Sequence, residues 1–275
     1  MAEKVTIAAL HRMKREGQKI VGMVAWDYPM AQIVDRAGVD IISVGDTVGV
    51  NLWGHNTPHE VTLEEMLLVG AAVRKGVKRA LLSVDFPSGI LEQGTDAALA
   101  AAKRIVEVTG ADIVKLDGAA EFPEAVAAVD EAGIPVFAQF GITPQTAVKY
   151  GFDYAEISKA GAQIPLEMKD QFVQEAKMLE YAGASLLDIT NSGPVIGEAV
   201  AKAAKLPVIG GFGGGPWLDG RMRMSYAAIG YNAKSMDSTE DNYANVGKLA
   251  LEAIKEYVAD VRAGHQIRGQ APVKA

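Results

Sequence analysis

The feature that most constrains this chain is a rhythm. Short runs of Val, Ile and Leu recur at 20–26, 41–45, 80–85, 113–117, 135–140, 186–190, 207–212 and 227–231, separated by longer Ala-, Glu- and Lys-rich stretches with helical spacing. Runs of that length suit strands, and the stretches between them suit helices. Several runs are apolar at nearly every position rather than at alternate ones, as parallel strands covered by helices require. Eight strands alternating with helices predict a single (β/α)8 TIM barrel. An open doubly wound sheet shares the alternation, and the strand count favours closure. Ala37-Gly38, Ala132-Gly133 and Ala182-Gly183 each precede a strand, where glycine ends a helix with positive φ.

At 275 residues one barrel accounts for the whole chain, 1–275, with an amphipathic N-terminal helix over 1–18 and a flexible or docking tail over 264–275. Hydrophobic residues make up 49% and charged residues 22%, an ordinary globular balance with material for a large core. The net charge of −7 is spread along the chain, and no Lys/Arg run interleaves with aromatics, so nucleic acid is not an expected partner. The chain has no cysteine, which excludes disulfides, thiolate metal sites and thiol nucleophiles. The opening residues scatter Lys4, His11, Arg12, Lys14 and Arg15 among apolar ones and lack a signal-peptide core. A cytoplasmic protein with no membrane partner is expected.

Barrel active sites gather at the C-terminal ends of the strands. Three acids fall there, Asp46, Asp85 and Asp117, each on a different strand. Each can cap the following helix. Together they would repel one another, and a hard dication resolves that repulsion, since Mg²⁺ takes one or two carboxylates and keeps sites for water and substrate oxygens. Lys115 lies two residues before Asp117 and so shares its face. It can balance a substrate carboxylate, pair with an aspartate, or in principle form an imine. Two connections are long, 48–62 and 141–165. The first carries His55, which either contacts substrate, orders its loop or stands in solvent; His11, His59 and His265 read as surface residues. Gly210 to Gly215, after the seventh strand, either cradles an anion or permits close packing, and it lacks a P-loop lysine pattern.

Val44-Gly45-Asp46-Thr47-Val48-Gly49, Trp53-Gly54-His55, Val84-Asp85-Phe86-Pro87, Val114-Lys115-Leu116-Asp117-Gly118 and Gly141-Ile142-Thr143-Pro144-Gln145, in that order and spacing, resemble the ketopantoate hydroxymethyltransferase family over nearly the whole chain. That resemblance implies a barrel of the phosphoenolpyruvate mutase and isocitrate lyase type. It implies transfer of a one-carbon unit from methylenetetrahydrofolate to 2-oxoisovalerate through an enolate, giving ketopantoate. It further implies Mg²⁺, or another dication such as Mn²⁺ or Co²⁺, and a homo-oligomer as large as a decamer. By the same resemblance Asp46 and Asp85 lie at the metal, Asp117 replaces the family's glutamate in its shell, and Thr47 and Lys115 contact the oxo-acid carboxylate.

Two further positions depart from the pattern. Gln139 replaces a family histidine, and the strand-end glutamate that acts as base has Thr190 or Asn191 in its place. Neither can accept a proton at neutral pH as a carboxylate can. Asp188, on the same face two residues earlier, is either a displaced base reaching through a water or a buried structural acid. Thr190 and Gln139 read as substrate contacts. The implied hydroxymethyl transfer is class II aldolase-like chemistry; the competing functions are a divergent metal-dependent aldolase or C–C lyase acting on another 2-oxo acid, and a silent scaffold that keeps the fold without turnover.

Overall fold

The computed structural model describes residues 3–152, 163–211, 214–237 and 242–271. The chain forms two compact units, Met1–Arg223 and Met224–Ala275. The first holds the barrel. Its strands are β1 (Ile20–Val24), β2 (Ile41–Val44), β3 (Leu81–Asp85), β4 (Ile113–Leu116), β5 (Val136–Gly141), β6 (Leu186–Thr190), β7 (Val208–Gly210) and β8 (Gly220–Met224). They pair in sequence order into a closed barrel, and the resolved ladders are parallel. Helices α2 (Tyr28–Arg36), α3 (Leu63–Gly76), α4 (Thr95–Thr109), α5 (Pro123–Glu131), α6 (Lys169–Tyr181) and α7 (Gly193–Ala203) follow β1 to β6, while α1 (Ile7–Arg15) precedes β1. Gly38, Gly133 and Gly183 all stand at positive φ just past α2, α5 and α6, as the Ala-Gly signals predict.

The eighth strand corrects the sequence reading. Residues 227–231 were expected to form it; instead Gly220–Met224 does, and 227–229 lie in the short helix α8 (Ser225–Ile229). The physical reason is alternation: Met222 points into the core while Arg221 is exposed, so this strand does not read as a continuous apolar run. Gly220 also lets β8 approach β1, because a Cβ there would meet Ile20 O at 2.3 Å. The expected seventh strand, 207–212, is trimmed to Val208–Gly210, and its last residue, Phe212, lies outside the described residues.

The barrel interior is layered. Ile20, Ile41, Leu81, Ile113, Phe137, Leu186, Ile209 and Met222, one from each strand, form an apolar layer with Val5 and Leu10. Leu10 is fully buried, so α1 closes the N-terminal mouth. Thr6 caps α1 by accepting the Ala9 N–H at 3.2 Å. His11 is not a free surface residue: its Nε2 lies 2.8 Å from Ser185 O. Two residues further along the strands the interior becomes polar, with Ser43, Ser83, Lys115, Gln139 and Asp188 all buried. Above them, at the C-terminal end, stand Asp85, Asp117 and Thr190.

The second unit holds α8, α9 (Val246–Arg262) and the tail. Asn245 caps α9 through its side chain. The described part of the tail is exposed, and Arg268 Nη1 lies 2.8 Å from Glu256 Oε2 on α9; the end of the expected flexible tail, 272–275, lies outside the described residues. Among the described residues no helix is long and apolar enough to cross a membrane.

Candidate active site

Lys115 organises the polar interior. Its Nζ lies 2.7 Å from Asp188 Oδ2 and 3.8 Å from Asp85 Oδ2, with the Phe137 ring centroid 5.3 Å away. The register explains the grouping, since Asp85 pairs with Lys115 across β3–β4 and Gln139 with Asp188 across β5–β6. Burial pushes the Lys115 ammonium toward its neutral form, but the carboxylates of Asp188 and Asp85 outweigh it and hold its pKa above the usual lysine range. Asp188 is wholly buried, and its Oδ1 accepts the Gly211 N–H at 3.1 Å and faces the Thr190 hydroxyl at 3.5 Å. Gln139 Nε2 donates to Thr190 Oγ1 at 3.0 Å. Lys115, Asp188, Thr190 and Gln139 thus form one connected set.

The three strand-end acids all lie close enough to Lys115 to feel its charge. All are buried, at 7% exposure for Asp46, 9% for Asp85 and 8% for Asp117. Desolvation raises all three, bringing Asp85 to about 7 and Asp117 to about 8; Lys115 opposes the rise at Asp85, and the Asp46 charge adds to both. Asp46 is therefore the carboxylate the other two feel. Asp85 Oδ1 accepts the Ser43 hydroxyl at 3.0 Å, and Asp46 Oδ2 accepts Gln145 Nε2–H at 3.2 Å. The Oδ1 of Asp117 is buried with no hydrogen-bond partner. Thr47 is half-buried, and a Cβ added to Gly45 would meet its Oγ1 at 3.3 Å and Asp85 Oδ2 at 3.5 Å, so the bare glycine keeps the space between them open.

A dication fits this arrangement. The donors are hard oxygens, they disfavour ionisation together, and one buried carboxylate oxygen lacks a partner. Among the described residues no three acidic or histidine side chains form a ready-made metal shell. Mg²⁺ does not need one, because it binds through one or two carboxylates and completes its octahedron with water and substrate oxygens. Asp46 and Asp85 are the residues that would hold it, with Asp117 facing the same charge.

The loops around the mouth divide. In 48–62 the chain makes a π-helical turn, Gly49–Trp53, and a 3-10 turn, Pro58–Glu60, and Glu60 Oε1 accepts the Asn56 and Thr57 N–H groups at 2.8 Å. His55 faces Glu65 at 3.8 Å and the Trp53 ring at 6.0 Å, contacts that order the loop. His59 is exposed as expected, yet lies close enough to lower the pKa of Asp46. In 141–165 the first turn is built over the site, and residues 153–162 lie outside the described residues. In the glycine-rich segment, Gly214 packs against Gly210 and Gly215 against the Trp217 ring, which supports close packing there; Phe212 and Gly213 are not among the described residues.

Sequence reading assigned no site role to three contributors, Ser43, Thr143 and Gln145, whereas the Gly211 N–H that meets the Asp188 carboxylate lies in the glycine-rich segment it offered as an anion cradle. None carries charge, so none stands out at a strand end. Ser43, midway along an apolar strand on the inward face, carried the one usable signal.

Comparison with known proteins agrees with this architecture. Residues 4–266 match the ketopantoate hydroxymethyltransferase family. The chain is 35% identical over 260 residues to the 3-methyl-2-oxobutanoate hydroxymethyltransferase of Parabacteroides distasonis, covering 94% of this chain and 92% of that protein. It is 34% identical over 257 residues to the enzyme of the same name from Geobacillus thermodenitrificans, covering 94% and 90%. Among solved structures, a phosphonopyruvate hydrolase complex with oxalate and Mg²⁺ superposes with TM-score 0.60 at 16% identity, covering 98% of this chain and 92% of that one. A 2,3-dimethylmalate lyase of the PEP mutase/isocitrate lyase superfamily does so with TM-score 0.60 at 13% identity, with coverage of 98% and 92%. These two likenesses establish the shared barrel fold. With a family match over nearly its full length and relatives above one-third identity, the chain belongs to the ketopantoate hydroxymethyltransferase family.

Proposed function

We propose that this protein is a cytoplasmic hydroxymethyltransferase that moves a one-carbon unit from methylenetetrahydrofolate to 2-oxoisovalerate, giving ketopantoate, and that it works as a homo-oligomer. The observation that carries the reading is the buried set of Asp46, Asp85 and Asp117 at three strand ends beside a paired lysine. Family membership favours this activity over an aldolase or C–C lyase acting on another 2-oxo acid.

A dication at Asp46 and Asp85 would stabilise the negative charge that grows on the keto oxygen as the neighbouring carbon loses its proton. The remaining work falls to the chain. In the free enzyme Lys115 Nζ is bound to Asp188. An arriving oxo-acid carboxylate competes for that ammonium, and Thr47 and the Thr190–Gln139 pair orient the bound acid. As Lys115 turns toward substrate, Asp188 Oδ2 is released from its closest partner and is placed to take the proton, directly or through a water. The carbon nucleophile then bonds to the one-carbon unit, whose two C–N bonds to the folate break; water supplies the hydroxyl oxygen, and tetrahydrofolate leaves with one proton from water and the one taken from the substrate carbon. Burial of the whole set limits solvent access to the reacting carbon.

The experiment is NMR-detected exchange of the proton beside the keto group of 2-oxoisovalerate in D₂O, with and without Mg²⁺, followed by methylenetetrahydrofolate. Metal-dependent exchange and a new hydroxymethyl product are expected. Exchange that persists in Asp188→Asn moves the base elsewhere. No exchange with metal present overturns the reaction.

A further inference from the structure

We propose that the turn after β5, residues 141–146, is a clasp that positions the metal-binding carboxylates, with Gln145 as its working side chain. This deepens the functional reading and rests on Asp46 holding a cation. Gln145 Nε2 donates to Asp46 Oδ2 at 3.2 Å from across the barrel mouth, and the Thr47 backbone N–H adds a second hydrogen bond, so the carboxylate is held in one orientation. A neutral amide does this without placing a competing positive charge beside the dication.

The turn is built to hold Gln145 there. Thr143 Oγ1 accepts the Gln145 N–H at 3.2 Å and the Thr146 N–H at 3.1 Å, and Thr146 Oγ1 donates to Gly141 O at 2.7 Å. Thr143 Oγ1 and Thr146 Oγ1 are 3.0 Å apart, and the same Thr143 hydroxyl reaches Asp117. From below, Asn191 Nδ2 donates to Ile142 O at 2.8 Å. Gly141 sits at φ +97°, where a Cβ would lie 2.5 Å from Thr190 O, so the turn is pressed onto the end of β6. One short turn thereby touches carboxylates from two other strands, Asp46 and Asp117. Partners of this kind orient a ligand before the metal arrives, and losing one typically weakens binding about 10–100-fold.

The test is Mn²⁺ affinity, read by electron paramagnetic resonance titration without substrate, in wild type, Gln145→Met and Asp46→Asn, with thermal unfolding of each metal-free protein alongside. Thr143→Ser, which keeps the hydroxyl, and Thr143→Val, which removes it, give a second pair. The expected result is a Kd about 10–100-fold weaker in Gln145→Met with an unchanged metal-free Tm, and recovery in Thr143→Ser relative to Thr143→Val. A Gln145→Met affinity within about threefold of wild type, or a loss matched by a fall in metal-free Tm, overturns the clasp while leaving the metal reading intact if Asp46→Asn abolishes binding. If wild type takes up no Mn²⁺, or Asp46→Asn binds it equally well, the metal reading and the clasp both fall.

Discussion

Lys115→Met should unfold this protein far more readily than its single-residue scale suggests. The ammonium stands 2.7 Å from Asp188 Oδ2 and 3.8 Å from Asp85 Oδ2, with side-chain exposure of 8% for the lysine and 0% for Asp188. Removing it strands a wholly buried carboxylate that keeps only the Gly211 N–H and a distant hydroxyl. Breaking a buried pair from one side costs about 3–5 kcal/mol. At about 1.4 kcal/mol per decade, this lowers the folding equilibrium constant on the order of a thousandfold. Asp188→Asn should cost less, about 1–3 kcal/mol, because Lys115 keeps Asp85 and the new amide can still accept from Gly211. The double variant Lys115→Met with Asp188→Leu, which removes both charges, should be more stable than Lys115→Met alone.

The sign with pH follows. Without the lysine, the Asp85 carboxyl, already raised by burial, rises further above its unfolded value, so ionising it opposes folding, and the penalty grows as pH climbs above about 4. Urea unfolding of metal-free protein, followed by far-ultraviolet circular dichroism at pH 5.5 and pH 8, should show the larger loss at pH 8. A Lys115→Met variant within about 1 kcal/mol of wild type at pH 8, or an equal loss at both pH values, would refute the reasoning.

Three further outcomes are expected. Because Asp85 titrates near 7 and Asp117 near 8 in the folded protein, protons compete with the cation below those values; the Mg²⁺-induced rise in Tm should grow from pH 6 to pH 9, and a flat profile in differential scanning calorimetry would contradict it. Leu10→Ala, which opens a cavity beneath the barrel's apolar layer, should cost about 2–5 kcal/mol in urea unfolding while Mn²⁺ affinity stays at the wild-type value, since the acids proposed to hold the metal lie at the opposite end of the barrel. Gly141→Ala should lose at least about 2 kcal/mol from its positive φ and its clash with Thr190 O, and should weaken Mn²⁺ binding as well, since the turn it disturbs carries Gln145.

The sequence by itself determined the barrel and most of its strands, because parallel strands under helices must be apolar on both faces, and that pattern survives in one dimension. It determined equally that Asp46, Asp85 and Asp117 fall at or just past the ends of three strands, and that Lys115 shares a face with Asp117 and Asp188 with Thr190, since strand alternation fixes which residues share a face. It misplaced the eighth strand because Gly220–Met224 is apolar on one side only. Only the tertiary structure decided who pairs with whom. The stagger between neighbouring strands sets Asp85 level with Lys115 and Gln139 level with Asp188, and residue counting along one strand carries no such information. The same holds for Gln145, which reaches Asp46 from 99 residues away as an uncharged side chain on a turn. Its hydrogen bond exists because barrel closure brings the ends of β2 and β5 around one mouth, and closure is a property of eight strands together.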